Sequence, residues 1–209
     1  MIRMLTQKMI DINNSTVEEI FSDFVVTADF DNDLEQLTHD VYQMRQQYPR
    51  QDNSNVGGWQ SPVFGPQCST STLTQLPESL SQLQWDVWGF INSIIESKFR
   101  KSLRKDHMGW WVNINDKHCY NSIHLHGRTD IIAIAYIKSK SNSGDLVVTR
   151  NDGSNYSELY HEYKHRYPPD VGKLIILPGH LWHHVEDNHN HDDRISVSYN
   201  FYTQINRIP

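Results

Sequence analysis

Cysteine is scarce: the 209-residue chain holds only Cys68 and Cys119, too few for a disulfide framework and without the paired spacing of a thiolate zinc site. Both read as ordinary reduced thiols. Long apolar runs are missing as well. The longest extends over seven residues, Ile131 to Ile137, whereas a helix that crosses a bilayer needs roughly 20, so no membrane span is expected. The first twenty residues alternate polar and apolar positions and carry Asp11, Glu18 and Glu19, unlike the apolar centre of a secretory signal. The N-terminus therefore reads as retained and the protein as cytoplasmic. Positive charge is in deficit, with 19 Lys plus Arg against 25 Asp plus Glu and a formal charge of −6. That balance disfavours a nucleic-acid polyanion as partner. No long repeat and no low-complexity tract breaks the chain.

Large side chains are plentiful. Six Trp, ten Tyr and seven Phe, with 37% hydrophobic residues overall, describe a folded chain able to bury a core. The length suits a single domain over residues 1–209, with a helical and loop-rich portion at 1–105 packing on a strand-rich core at 106–209. Leu34, Leu37, Val41 and Met44 recur at helical spacing and predict a helix near 33–47, ended by Pro49. Residues 49–77, rich in Asn, Ser, Gly, Pro and Gln, read as a long loop. Pro77 opens a second helix, whose stripe of Leu80, Leu83, Val87, Ile91 and Ile94 is flanked by Trp88, Ile95 and Phe99. From Gly109 the period falls to two, and strands are expected at 110–115, 130–138, 145–149, 171–177 and 194–203. Short strands without interleaved helices predict a mainly β fold, an antiparallel jelly roll or sandwich with the helices outside.

Histidine is abundant, twelve residues, most of them after Lys117. In Tyr120-Asn-Ser-Ile-His-Leu-His126 two imidazoles stand two residues apart, which in an extended chain puts both on one face. His180, His183 and His184 follow the strand that ends at Leu177, so a third ring can arrive from elsewhere. Three imidazoles suit iron, zinc, copper or nickel and leave positions open for water, substrate and dioxygen. Because His183 and His184 are neighbours, only one of them can face inward. His189 and His191 fall in a polar turn and read as solvated.

The last strand sorts Arg194, Ser196, Ser198 and Asn200 to one face and Ile195, Val197, Tyr199 and Phe201 to the other. A guanidinium on an inward polar face calls for a carboxylate ligand held by two parallel hydrogen bonds, with Ser196 adding a third. The competing reading is a solvent-exposed ion pair of Arg194 with Asp192 or another local acid. Trp85 and Trp88 read as core packing. Trp110 and Trp111 are candidates for a substrate cleft, the Tyr156–Tyr167 run for a lid, and Asn113 and Asn121 for hydrogen bonds to a cosubstrate or metal water.

The order His124-X-His126, Ser143-Gly144-Asp145-Leu146-Val147-Val148, Val171 to Pro178, His183 and Arg194-Ile-Ser-Val-Ser-Tyr-Asn200 resembles the iron(II)- and 2-oxoglutarate-dependent dioxygenases. It is most similar to the oxygenase branch common in cyanophages and marine bacteria, a likeness that covers residues 109–203 and touches Ser54 to Ser61. The resemblance implies a double-stranded β-helix, a cupin-like jelly roll, and Fe(II), 2-oxoglutarate and O2 as cofactor and cosubstrates. It matches His124 to the first metal ligand, and His183, in Pro-X-X-Leu-X-His, to the distal one. Arg194 matches the residue that holds the far carboxylate of 2-oxoglutarate, and Ser196 its hydroxyl companion. The usual carboxylate ligand is replaced by His126, which either serves as third ligand or leaves that place to Asp130; spacing favours His126.

The activity so implied is hydroxylation of a small-molecule or peptide substrate, coupled to decarboxylation of 2-oxoglutarate to succinate. Two other readings stand beside it. One is a cupin-like metal or small-ligand binding protein without turnover. The other is a three-His oxygenase or zinc hydrolase that does not use 2-oxoglutarate, in which Arg194 serves the substrate.

Overall fold

The computed structural model describes residues 23–66, 68, 76–149 and 164–204. Helix α1, Leu34–Gln47, begins where the Asp33 carboxylate accepts the main-chain N–H groups of Glu35 and Gln36, an N-cap worth about 1 kcal/mol. It ends at Tyr48, in extended conformation before Pro49, and buries Leu37, Val41 and Met44. Helix α2, Glu78–Phe99, follows Pro77 and buries Leu80, Leu83, Val87 and Ile91 as the spacing predicts. Its stripe then continues through Ile95 rather than Ile94, and Phe99 is exposed. Trp85 is also largely exposed, so the core role read for it does not hold, while Trp88 packs at the edge of the core.

Among the described residues eleven strands form two antiparallel sheets. These are β1 (Val26–Asp29), β2 (Asn55–Val56), β3 (Trp59–Gln60), β4 (Leu103–Asn115), β5 (Tyr120–His124), β6 (Ile131–Lys138), β7 (Leu146–Thr149), β8 (Lys164–Tyr167), β9 (Lys173–Pro178), β10 (Trp182–Val185) and β11 (Arg194–Thr203). The larger sheet runs β1-β9-β6-β11-β4-β3, the smaller β2-β5-β10-β7-β8. This is the double-stranded β-helix, mainly β with α1 and α2 against one face.

The larger sheet is covered on both sides, which explains the seven-residue apolar run. In β6, Ile131, Ala133, Ala135 and Ile137 join the core built with α1 and α2. Ile132, Ile134 and Tyr136 point the other way, into a second core with Leu146, Val148, Ile175 and Leu177. A strand buried on both faces reads as continuous hydrophobicity rather than alternation. Strand β11 divides the same way: Ile195, Val197, Tyr199 and Phe201 enter the helix-side core, while Ser196 and Ser198 face the smaller sheet.

Three sequence expectations need correction. The long loop contains β2 and β3, which pair with β5 and β4 and so reach both sheets. Strand β1 adds an edge to the larger sheet beside β9. Strand β4 starts at Leu103, before Gly109. Of the Tyr156–Tyr167 run, only 164–167 belongs to the described residues, as the outer strand β8; the rest of that lid expectation lies outside them. Among the described residues no helix is long and apolar enough to cross a membrane.

Candidate metal centre

His124 closes β5, and His183 stands directly opposite it in the register of β10. Between the pairings Val185↔Asn121 and His183↔His124 the β5 chain holds one residue more than β10. This bulge turns Asn121 and His124, three apart, toward the same cavity. His126, two residues further on, faces it as well. The ring centroids are 4.4 Å apart for His124 and His183, 5.1 Å for His124 and His126, and 5.0 Å for His126 and His183. Their ligand atoms all lie within 4.8 Å of one another.

The three rings are held in one tautomer. Nδ1 of His124 lies 2.7 Å from the Ser122 carbonyl, and Nδ1 of His183 lies 2.9 Å from the Leu181 carbonyl. His126 Nδ1 lies 2.6 Å from Asn200 Oδ1. A carbonyl oxygen only accepts, so each Nδ1 donates its proton and each Nε2 keeps a free lone pair. Burial, followed by the two neighbouring imidazoles, pushes His183 down to about 3. Burial takes His126 down to about 4, and it also lowers His124. The cluster is thus neutral at pH 7, the state a metal ligand requires. No carboxylate joins it among the described residues. Asp130 is engaged elsewhere, accepting from the N–H of Thr203 at 2.7 Å and from its hydroxyl at 3.1 Å.

Among the described residues the other histidines stand apart from this cluster. His184 faces the opposite side, in a surface hollow with Tyr120, Asp145 and Glu186, and exposed His180 bonds Asp23 at 2.8 Å. His191 contacts Lys117. Trp111 lines the cavity and stacks on His126 with centroids 5.6 Å apart, whereas Trp110 packs against Phe64 in the helix-side core. Asn113 and Asn121 both line the cavity. Asn113 donates to Ser198 Oγ and Asn121 to Ser54 Oγ, each at 3.3 Å.

Arg194 is 1% exposed. Its Nη1 donates to the main-chain carbonyls of Ser143, Gly144 and Glu186. Nη2 has no partner, and no carboxylate lies within ion-pair distance among the described residues. The surface pair with Asp192 is therefore not formed. Burial lowers the guanidinium's pKa. Gly144 makes the cradle possible: its φ is +82°, and a Cβ there would sit 2.4 Å from the Glu186 carbonyl oxygen. The reading of the sequence missed Tyr136. Its hydroxyl is fully buried without a partner among the described residues, its pKa pushed up to about 12 by burial, and the charge of Arg194 acts on it. Tyr136 is the register partner of Ser196 on the inward face. The one signal was a hydroxyl-bearing residue within an apolar run.

Residues 109–200 match the model of a family described as "Putative 2OG-Fe(II) oxygenase". A comparison with curated protein sequences finds no match. Among solved structures, a Pseudomonas putida prolyl-4-hydroxylase superposes with a TM-score of 0.60 at 14% identity, over 85% of this chain and 91% of that one. A prolyl hydroxylase from Trichoplax adhaerens, in complex with a hypoxia inducible factor peptide fragment, gives 0.59 at 12% identity, over 85% and 83%. HygX from Streptomyces hygroscopicus, with nickel and 2-oxoglutarate bound, gives 0.58 at 11%, over 86% and 81%. The matched segment carries the three-imidazole cluster, and in that segment and in fold the chain is similar to the 2-oxoglutarate- and iron(II)-dependent oxygenases, a class of dioxygenase-type oxidoreductases. Fe(II), 2-oxoglutarate and O2 are the cofactor and cosubstrates of that class.

Proposed function

We propose that this protein is a hydroxylase that holds iron(II) on Nε2 of His124, His126 and His183 and anchors the far carboxylate of 2-oxoglutarate on Arg194. The donor set fits the metal: three neutral imidazoles, fixed by hydrogen bonds on their other nitrogens, leave coordination positions free. Bound iron would supply the coupling of oxidative decarboxylation of 2-oxoglutarate to oxidation of a substrate C–H bond.

The single observation that carries the assignment is the buried, unpaired Nη2 of Arg194. A buried cation without a counter-charge is costly, and buried polar atoms without partners call for an explanation. Arg194 lies two residues before Ser196 on one face of β11, and Ser196 lines the cavity with the three histidines. Tyr136 supplies a second unpaired donor across the register. A diacid that reaches toward the metal with one end and toward Arg194 and Tyr136 with the other would satisfy all of them. Ile132, Ile134 and Leu146 restrict water in the same cavity.

The substrate is proposed to be a small molecule or a peptide. The phrases Ser54 to Ser61 and Arg194 to Asn200 favour the branch found in cyanophages and marine bacteria.

The replacement of a carboxylate by His126 favours a second reading, a three-His metal protein that does not use 2-oxoglutarate. Anaerobic addition of iron(II) and 2-oxoglutarate separates the two. A weak visible charge-transfer band is expected, and Arg194→Ala should abolish it while metal stays bound. A band indifferent to that substitution would remove the cosubstrate assignment, and absence of any band would favour the second reading.

A further inference from the structure

We infer that Asn200 is the positioning residue for His126, holding the ring that stands in the place of a carboxylate so that its Nε2 faces the metal. The inference rests on the proposed three-histidine centre. What sets His126 apart is the origin of its support. His124 and His183 donate Nδ1–H to carbonyls two residues earlier in their own chain, Ser122 and Leu181, an arrangement the local main chain provides whatever the side chains are. His126 lies past the end of β5, just before Gly127 with φ +49°, and its Nδ1 is met instead by a side chain 74 residues away.

Asn200 is on the polar face of β11, in register with Gly109 and Ile132. Its amide oxygen reproduces what a main-chain carbonyl does for the other two rings: it is a neutral acceptor that fixes one tautomer without adding charge. The flat faces of His126 are occupied by Trp111 on one contact, 5.6 Å and 29° between planes, and by His124 on another, 5.1 Å and 26°. These contacts restrict the tilt of the ring but not which edge turns inward. The Asn200 bond decides the edge. A ring flip would present Cε1–H, and the other tautomer Nε2–H, rather than a lone pair to the ion.

The test uses the full-length protein and cobalt(II) as probe, followed by its visible absorption, with long-range 15N–1H spectra of the metal-free protein to read the tautomer of His126. Asn200→Leu, which keeps volume and removes the acceptor, should weaken cobalt affinity about 10- to 100-fold and move His126 away from the pure Nδ1–H form. Asn200→Asp, which keeps an acceptor oxygen, should hold both readouts at or better than wild type. Asn200→Ala serves if the leucine variant does not fold, and should resemble it. Wild-type affinity and tautomer in Asn200→Leu would overturn the inference, as would equal losses in the Leu and Asp variants, since a merely structural role predicts no rescue by Asp. If the wild-type protein binds no cobalt, the metal reading itself fails, and the tautomer spectra still decide whether Asn200 fixes the ring.

Discussion

Replacing Arg194 by methionine removes the guanidinium while keeping most of its volume in a site that is 1% exposed. In the metal-loaded wild type, 2-oxoglutarate at a hundred times its Kd should stabilise the fold by about 2.7 kcal/mol. For a chain of this length that corresponds to a rise in Tm of about 5–11 °C, at about 2–4 °C per kcal/mol. Breaking a buried charge pair by removing one partner costs about 3–5 kcal/mol, or about 150- to 4,000-fold in Kd at about 1.4 kcal/mol per decade. The same concentration of 2-oxoglutarate is then below the variant's Kd, and the stabilisation left is under about 0.3 kcal/mol. Differential scanning fluorimetry with nickel(II) present and oxygen excluded reads this directly. The nickel-induced shift should be unchanged in Arg194→Met, and the further shift from 2-oxoglutarate should fall to about 1 °C or less. A full shift in the variant would refute the argument that this cation binds the diacid.

Because burial depresses His126 and His183 to about 4 and about 3, cobalt affinity should fall by less than about tenfold between pH 7.5 and 5.5. Three histidines at the ordinary value near 6.5 would instead lose about a thousandfold, and a loss of that size in a metal titration would contradict the buried neutral cluster. The same depression means that the unfolded chain binds more protons than the folded one between roughly pH 6.5 and 4, so stability of the metal-free protein should drop as pH falls through that window. Urea melts should show this slope, reduced in His183→Gln. Gly144→Ala should cost at least about 1–3 kcal/mol from its left-handed backbone alone, seen as a lower denaturation midpoint, and should weaken 2-oxoglutarate binding because Gly144 and Glu186 carbonyls hold Arg194. Leu83→Ala, at a fully buried position of α2, should destabilise by about 2–5 kcal/mol and leave cobalt affinity within about twofold.

The parts of the fold legible in the sequence are those where period and burial agree. Alternation in β11 separated Ser196 and Ser198 from Ile195 and Val197, and the same rule allowed only one of His183 and His184 to face inward, the family resemblance selecting His183, which does line the cavity while His184 faces away. The helices were readable from Leu37, Val41 and Met44 and from Leu80 to Ile91, although the second stripe drifted to Ile95. Strands of two residues such as β2 and β3 carry no period, and their pairing is decided by β5 and β4. Tyr136 was hidden because a tyrosine amid isoleucines reads as packing. Asn200 was placed on the correct face, but its contact with His126 is tertiary and has no local signature. The bulge in β5 likewise defeats a strict two-residue rule, which would set Asn121 and His124 on opposite sides.

The centre is divided between two slabs. His124 and His183 come from the smaller sheet and His126 follows the end of its β5 strand, whereas Arg194, Ser196, Tyr136 and Asn200 all belong to the larger sheet. A diacid with one end on the ion and the other on the guanidinium would act as a clasp across the gap, and any loosening of the sandwich would stretch the grip at both ends together. Occupancy and the spacing of the slabs are then mechanically linked, so backbone amides of β10 and β11 should exchange with solvent more slowly once both ligands are seated.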